Sequence, residues 1–243
     1  MPRFAANLSM MYTEVPFLDR FAAAAQDGFE AVEYLFPYEH THAEIAQRLQ
    51  AHGLTQALFN LPPGDWAAGE RGIACLPGRG DEFRAGVDLA IDYAQALGVR
   101  QLNCLVGQVP AGGDPARLRG NLLTNLGFAA ERLRRAGLKL LLEPINSHDI
   151  PGFYLSRSDQ TLDLLDPQPG DTICDPACGT AGFLSVAYEY LMQKYSSEAG
   201  THSEPMFDAD GKPVLNKKGQ QLQNVIYSGD LLTPEQRTHV DTD

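Results

Sequence analysis

Four times in the first 137 residues a short apolar run gives way to a longer amphipathic stretch that stops at a glycine, and a fifth apolar run follows. The apolar runs are 4–10, 30–36, 54–61, 99–106 and 138–144. The amphipathic stretches are 16–27, 41–52, 81–97 and 115–136, closed by Gly28, Gly53, Gly98 and Gly137. This spacing predicts strands alternating with helices. A strand that returns to its sheet through a helix runs parallel to the strand before it, with a right-handed crossover. Near-continuous apolar strands such as LKLLL (138–142) suit a sheet covered on both sides. The expected fold class is α/β, beginning with an incomplete (β/α) TIM-type barrel of about five units, since a full eightfold barrel takes ~250 residues.

The pattern changes character near Asp166–Pro167, just after a short helix expected over 158–165. Beyond it come a strand at 171–175, a glycine turn at 176–182 and a helix at 183–195, a Rossmann-like beginning. A polar stretch, 196–223, reads as a long excursion or a flexible segment, and 224–232 as a last strand. Residue usage shifts at the same point. Up to residue 166 there are thirteen Arg and one Lys, and after it one Arg and four Lys; Ala falls from 23 to 5. Two domains are therefore expected, 1–166 and 167–243, of separate origin.

Composition narrows the function classes. Apolar residues make up 44% of the chain, enough for a packed core. No segment reaches the ~18 uninterrupted apolar residues of a membrane span, and the start MPRFAANLSMM lacks the features of a signal peptide. Four cysteines do not make a disulfide framework in a chain this long. A reduced, cytoplasmic protein is the expectation. The net charge of −12 argues against non-specific attraction to nucleic acid phosphate.

Glu143 ends the fifth strand, at the face where parallel barrels keep their chemistry. A carboxylate there can bind a divalent ion or move a proton between adjacent carbons of a hydroxy-carbonyl substrate; a salt-bridged residue at a loop start is the plainer alternative. The stretches RFAANLSMM, EYLFPY, NLPPGDWAAGERGIACLPGR, LNCLVG and EPINSHDIPGF make residues 1–166 resemble the hydroxypyruvate isomerase family, within the xylose-isomerase-like barrel superfamily. That resemblance implies interconversion of hydroxypyruvate and 2-hydroxy-3-oxopropanoate through an enediol, with Glu143 as acid/base and metal ligand. It implies a small hydroxy-carbonyl acid as substrate. Glu70 and Arg71 would lie in a loop over the pocket, where Arg71 could fork onto a substrate carboxylate or form a structural ion pair. His148 and Asp149 would line the mouth. The family's remaining ligands come from later strands that nothing here matches, so the divalent metal site is expected to be incomplete.

In TICDPACGTAGF (172–183) a strand-end acid precedes two turn glycines and a helix start, which lets backbone approach a ligand. The strings GDTICDPACGTAGFLSVAYEYL and NVIYSGDLLTPEQRTHVDTD resemble the modification subunit of type I restriction systems, an N6-adenine DNA methyltransferase family. By that resemblance Asp175, Pro176, Ala177, Gly179, Thr180 and Gly182 would contact S-adenosylmethionine, weakly, with Phe183 packed beside it. The motif that grips a target adenine is absent, so DNA is not expected as a partner. Cys174 and Cys178 read as buried thiols rather than zinc ligands, and Trp66 as a packing anchor. If the strand 171–175 replaced a sixth barrel strand, Asp175 would stand near Glu143 and share a weak divalent ion. Three readings follow: an isomerase-like enzyme, an S-adenosylmethionine-binding module, and a join of two truncated pieces with no complete site. The last is favoured by the missing parts on both sides.

Overall fold

The apolar runs become short parallel strands, β1 (Ala5–Asn7), β2 (Ala31–Glu33), β3 (Thr55–Gln56), β4 (Phe59–Asn60), β5 (Gln101–Cys104) and β6 (Lys139–Leu142). Asn7 stands opposite Glu33, Val32 opposite Gln56, Asn60 opposite Asn103 and Cys104 opposite Leu142. β3 and β4 arise from one run of sequence. Ala57 N donates to Val32 O and Asn60 N to Leu35 O, which joins the two three-stranded sheets into one ladder in chain order. The structure, a computed structural model, describes residues 4–165, 190–208, 212–216 and 220–233. It divides into two units, 1–156 and 157–243.

In the first unit every expected helix forms. The stretch 16–27 opens with a 3-10 turn (Phe17–Asp19) and continues as α1 (Arg20–Gln26). α2 (His42–His52) starts at a capping box, in which Thr41 and Glu44 satisfy each other's backbone N–H, and stops at Gly53 in the left-handed region. α3 (Gly80–Leu97) turns Phe83, Val87, Ala90, Ile91, Ala94 and Leu97 inward, the spacing of one helical face. α4 (Pro115–Arg135) is capped by Asp114 with proline at its first position. The strands are shorter than the apolar runs because the chain leaves the ladder early. After β1, for example, Ser9 accepts the Leu35 N–H with its side chain, replacing a strand partner.

Alternation along these strands sorts the side chains. Ala6, Val32, Phe59 and Leu102 are fully buried in the core, and the residues that follow them, Asn7, Glu33, Asn60 and Asn103, are polar. An edge-to-face cluster of Phe17, Phe21 and Tyr34, with Phe59 stacked on Tyr34, fills the space beneath α1 and α2.

The second unit contains α5 (Ser158–Leu165), helical residues 190–194, β7 (Thr201–Pro205) and β8 (Gln223–Tyr227). Two expectations are corrected here. The polar stretch 196–223 contains a strand, β7, paired antiparallel with β8 so that Thr201 faces Tyr227 and Pro205 faces Gln223. The β-branched pair Val225–Ile226 in β8 favours an extended partner, and bonds such as Met206 N to Leu222 O lengthen the ribbon. The strand expected over 224–232 ends at Tyr227, because Gly229 turns the chain at positive φ. The helix 158–165 falls in the second unit, whose start at residue 157 lies ten residues before the boundary read from the sequence. Unit one closes earlier, where Ile145 N donates to Leu155 O and Gln108 bridges to Phe153.

The long loop 62–78 is pinned at several points on the carboxyl side of the ladder. Gly72 bridges to Val106, Cys75 N donates to Val106 O, and Asn125 of α4 donates to Ala74 O at 2.8 Å. Glu70 accepts the Asp65 N–H and binds Arg79, which also binds Glu82. Gly72 sits at φ 104°, and a Cβ there would run into the Leu105 carbonyl. Gly72→Ala is therefore expected to destabilise the protein by about 2 kcal/mol or more and lower its thermal midpoint. Arg79 holds the Glu70 and Glu82 carboxyls below the ordinary glutamate range, mainly through its hydrogen bonds to them. That stabilisation is present above the unfolded pKa of ~4.3 and is lost as pH falls through the lower folded values. Trp66, the one tryptophan of the chain, lies in this loop. Its emission should hold steady down to mildly acidic pH and shift below it, with Arg79→Met moving the midpoint upward.

Candidate active site

Parallel pairing brings a row of polar side chains to the carboxyl ends of β1, β2, β4, β5 and β6. At one side, Asn7 Nδ2 donates to Glu33 Oε1 at 3.1 Å, and Asn7 Oδ1 accepts from Ser9 N at 3.0 Å. This Asx turn fixes the amide and, through it, the Glu33 carboxylate. Further along, Asn103 Nδ2 donates to Asn60 Oδ1 at 3.0 Å and to Glu143 Oε2 at 3.4 Å. Asn60 and Asn103 are both buried, whereas Glu143, one residue past β6, is reached by solvent. Solvent contact and electrostatics differ in emphasis at Glu143. Water touches the side chain, yet the surrounding protein displaces enough of it to push the carboxyl above its usual range. The Asn103 bond opposes that rise and the charge of Glu33 adds to it. A carboxylate exposed on one side and desolvated on the other is what a group facing into a concave mouth experiences. It is a stronger base than a free surface glutamate.

The loop expected over the pocket contributes an arginine. The Arg71 guanidinium lies 3.7 Å from the Trp66 ring centroid, and Trp66 packs edge-on against Phe36, which follows β2. Arg71 Nη1 donates to the carbonyls of Trp66 and Glu70. Among the described residues it has no carboxylate partner, so its remaining donors are available to an anion. Glu70 differs. Both its oxygens are taken, by Arg79 and by Asp65 N, and it ties the loop to the start of α3 rather than facing a substrate. His148 is exposed on a turn organised by Asn146, whose Oδ1 accepts from His148 N and Asp149 N while its Nδ2 donates to Asp149.

Asp175, Pro176, Ala177, Gly179, Thr180 and Gly182, together with Cys174, Cys178 and Phe183, lie outside the described residues. Cys75 and Cys104 are buried thiols, and burial pushes Cys104 up to about 12. Among the described residues no three His, Cys, Asp or Glu side chains gather to hold a metal ion. Among the described residues, the groups recorded as acting on Glu143 are the Asn103 amide and the Glu33 carboxylate. No helix among the described residues is long and apolar enough to cross a membrane.

The sequence singled out Glu143 and the loop but not Asn7, Glu33, Asn60 and Asn103, which the structure sets beside them at the strand ends. The signal was present. The runs AAN, AVE and LFN each end in a polar residue, and LNC has one within it. Taken singly each reads as a strand end, and the register that aligns them comes only from the sheet.

Residues 21–170 match the family described as xylose isomerase-like TIM barrel. The 2-oxo-tetronate isomerase of Cupriavidus necator is 58% identical over 159 residues, covering 65% of this chain and 61% of that protein. The hydroxypyruvate isomerase of Escherichia coli is 52% identical over 199 residues, covering 82% of this chain and 73% of that protein. A match of that length necessarily runs beyond residue 166. Among solved structures, the AP endonuclease, family 2, from Brucella melitensis superposes with a TM-score of 0.67 at 46% identity, covering 70% of this chain and 66% of that one. The chain thus spans about three-fifths of the length of the Cupriavidus relative. With its parallel ladder and strand-end carboxylate, the chain belongs to the xylose isomerase-like TIM barrel family and is a homologue of the hydroxypyruvate and 2-oxo-tetronate isomerases.

Proposed function

We propose that the barrel portion carries an isomerase-type proton-transfer site for a small 2-oxo acid bearing a hydroxyl on the neighbouring carbon, with Glu143 as the base. The observation that carries this reading is the placement of Glu143, at a strand end with one carboxylate oxygen on a buried amide and its pKa raised by desolvation. In the reaction the Glu143 carboxylate takes a proton from the hydroxyl-bearing carbon. The C–H electron pair forms the enediol double bond, and the charge moves onto the carbonyl oxygen. Return of the proton to the adjacent carbon, with the hydroxyl hydrogen passing between the two oxygens, completes an isomerisation. In this reading Arg71, whose guanidinium lies over the Trp66 ring, takes the substrate carboxylate with donors that the loop carbonyls leave unused. The names of the homologues, hydroxypyruvate isomerase and 2-oxo-tetronate isomerase, are consistent with an acid of this kind.

A second reading concerns the residues after 166. The string TICDPACGTAGF (172–183) resembles the cofactor motif of adenine methyltransferases, and 157–243 forms a unit of its own. In this proposal the second unit derives from such an enzyme and holds S-adenosylmethionine weakly at Asp175 and the 179–182 turn. The missing barrel strands would then reduce or abolish isomerase turnover.

Glu143→Gln should abolish deuterium uptake from D₂O into hydroxypyruvate above the uncatalysed rate, followed by NMR; unchanged uptake defeats the first reading. Because the base must be ionised, the wild-type rate should fall as pH drops through a value above the ordinary glutamate pKa of ~4.3. For the second reading, saturating S-adenosylmethionine should slow amide exchange at Gly179 and Gly182, and unchanged exchange rejects it.

A further inference from the structure

The amide of Asn103 has four hydrogen-bonding positions and is buried, yet it uses them unevenly. Its Nδ2 donates twice, to Asn60 Oδ1 and to Glu143 Oε2, while its Oδ1 is buried without a partner. A buried acceptor left unpaired is costly and calls for a reason. Turning the amide over would bring the orphaned oxygen towards Asn60. It would also set two oxygens, Asn103 Oδ1 and Glu143 Oε2, against each other. The carboxylate therefore fixes which way Asn103 faces, and Asn103 in turn fixes Asn60, which must present its own oxygen. The register of the strands places this line of groups, since Asn60 and Asn103 are opposed in the β4–β5 pairing and β6 lies next to β5.

We propose that Asn103, hydrogen-bonded to Asn60, is a positioning residue for Glu143: it engages Oε2 and leaves Oε1 as the oxygen that carries the substrate proton. The inference rests on the proton-transfer reading of Glu143 and deepens it. Nothing in the amide pair touches the reacting carbon. Its effect is to choose one rotamer of a side chain that solvent would otherwise let swing, and the 3.4 Å contact is of a kind that tightens when substrate excludes water. A neutral donor does this without the strong pKa depression that a cation would impose.

Two measurements test this on the full chain. In ¹⁵N-labelled protein the side-chain amide resonances of Asn103 should move when Glu143 is replaced by Met, which removes the acceptor at similar length. Those of Asn121, whose Nδ2 donates within α4, should stay in place. An Asn103 signal unmoved by Glu143→Met overturns the proposal whether or not the chain turns over substrate. In the second measurement, Asn103→Leu should lower kcat about 100-fold with KM within about twofold, the signature of a misplaced base rather than lost binding. Asn103→Ser, which restores a donor, should recover part of that loss. Wild-type turnover in Asn103→Leu, or loss through KM alone, sinks the proposal. A wild-type protein with no deuterium uptake above background overturns the isomerase reading instead, and the resonance experiment still decides the Asn103–Glu143 contact. Should Asn103→Leu fail to fold, the same experiment stands on Glu143→Met and wild type alone.

Discussion

Parallel register is the constraint on which the site depends. A strand side chain reaches the mouth of a barrel only if its neighbours' side chains stand at the same height. The pairings Asn7–Glu33 and Asn60–Asn103 achieve this across two joins of the ladder. A slip of one residue would exchange Asn60 for Phe59 and put a benzyl ring among the amides. The apolar layer beneath, Ala6, Val32, Phe59 and Leu102, prevents that slip, because each of these residues is wholly buried and none tolerates water. Core packing and site geometry are thus one fact seen from two sides of the strand.

The loop 62–78 adds a second kind of constraint. Strand pairing cannot fix seventeen residues that make no ladder, so the sequence supplies local ties: an ion pair through Arg79, a bridge at Gly72, and a buried amide from α4. Each tie uses a group that would otherwise be a candidate for chemistry. Glu70 illustrates the consequence. Its position in the loop suits a substrate contact, yet its oxygens are saturated, and the neighbouring Arg71 is left with donors to spare. Within a single dipeptide, one charge stabilises the scaffold and the other remains open to a ligand.

Strand–helix alternation was legible in the sequence because it rests on periodicity and glycine stops, both local properties. All five strand runs and their helices formed, with ends trimmed where side chains such as Ser9 replaced strand partners. Glu143 was legible for a similar reason, since a carboxylate after an apolar run stands out. The amides were not, because an asparagine at a strand end has many uses and only cross-strand register makes it part of a site. The β7–β8 pairing was hidden by composition. Polarity there reflects a ribbon exposed to solvent on most of its surface, and exposed strands lack the apolar alternation by which strands are recognised.

The neutrality of the amide that bonds Glu143 bears on what kind of chemistry the site can support. Had Arg or Lys stood where Asn103 stands, the carboxylate would have been held firmly but its pKa lowered, and a weak base removes protons from carbon poorly. One amide, itself bonded to Asn60, holds it with less force and leaves its basicity to be set by desolvation and by Glu33. Arg71, which has no carboxylate partner among the described residues, lies on the loop with its guanidinium over Trp66, and in the proposed isomerase reading its charge meets a substrate's carboxylate rather than that of Glu143. In that reading the cation that binds and the carboxylate that reacts are separate groups, so a chain of net charge −12 would draw a small anion to its base without neutralising that base.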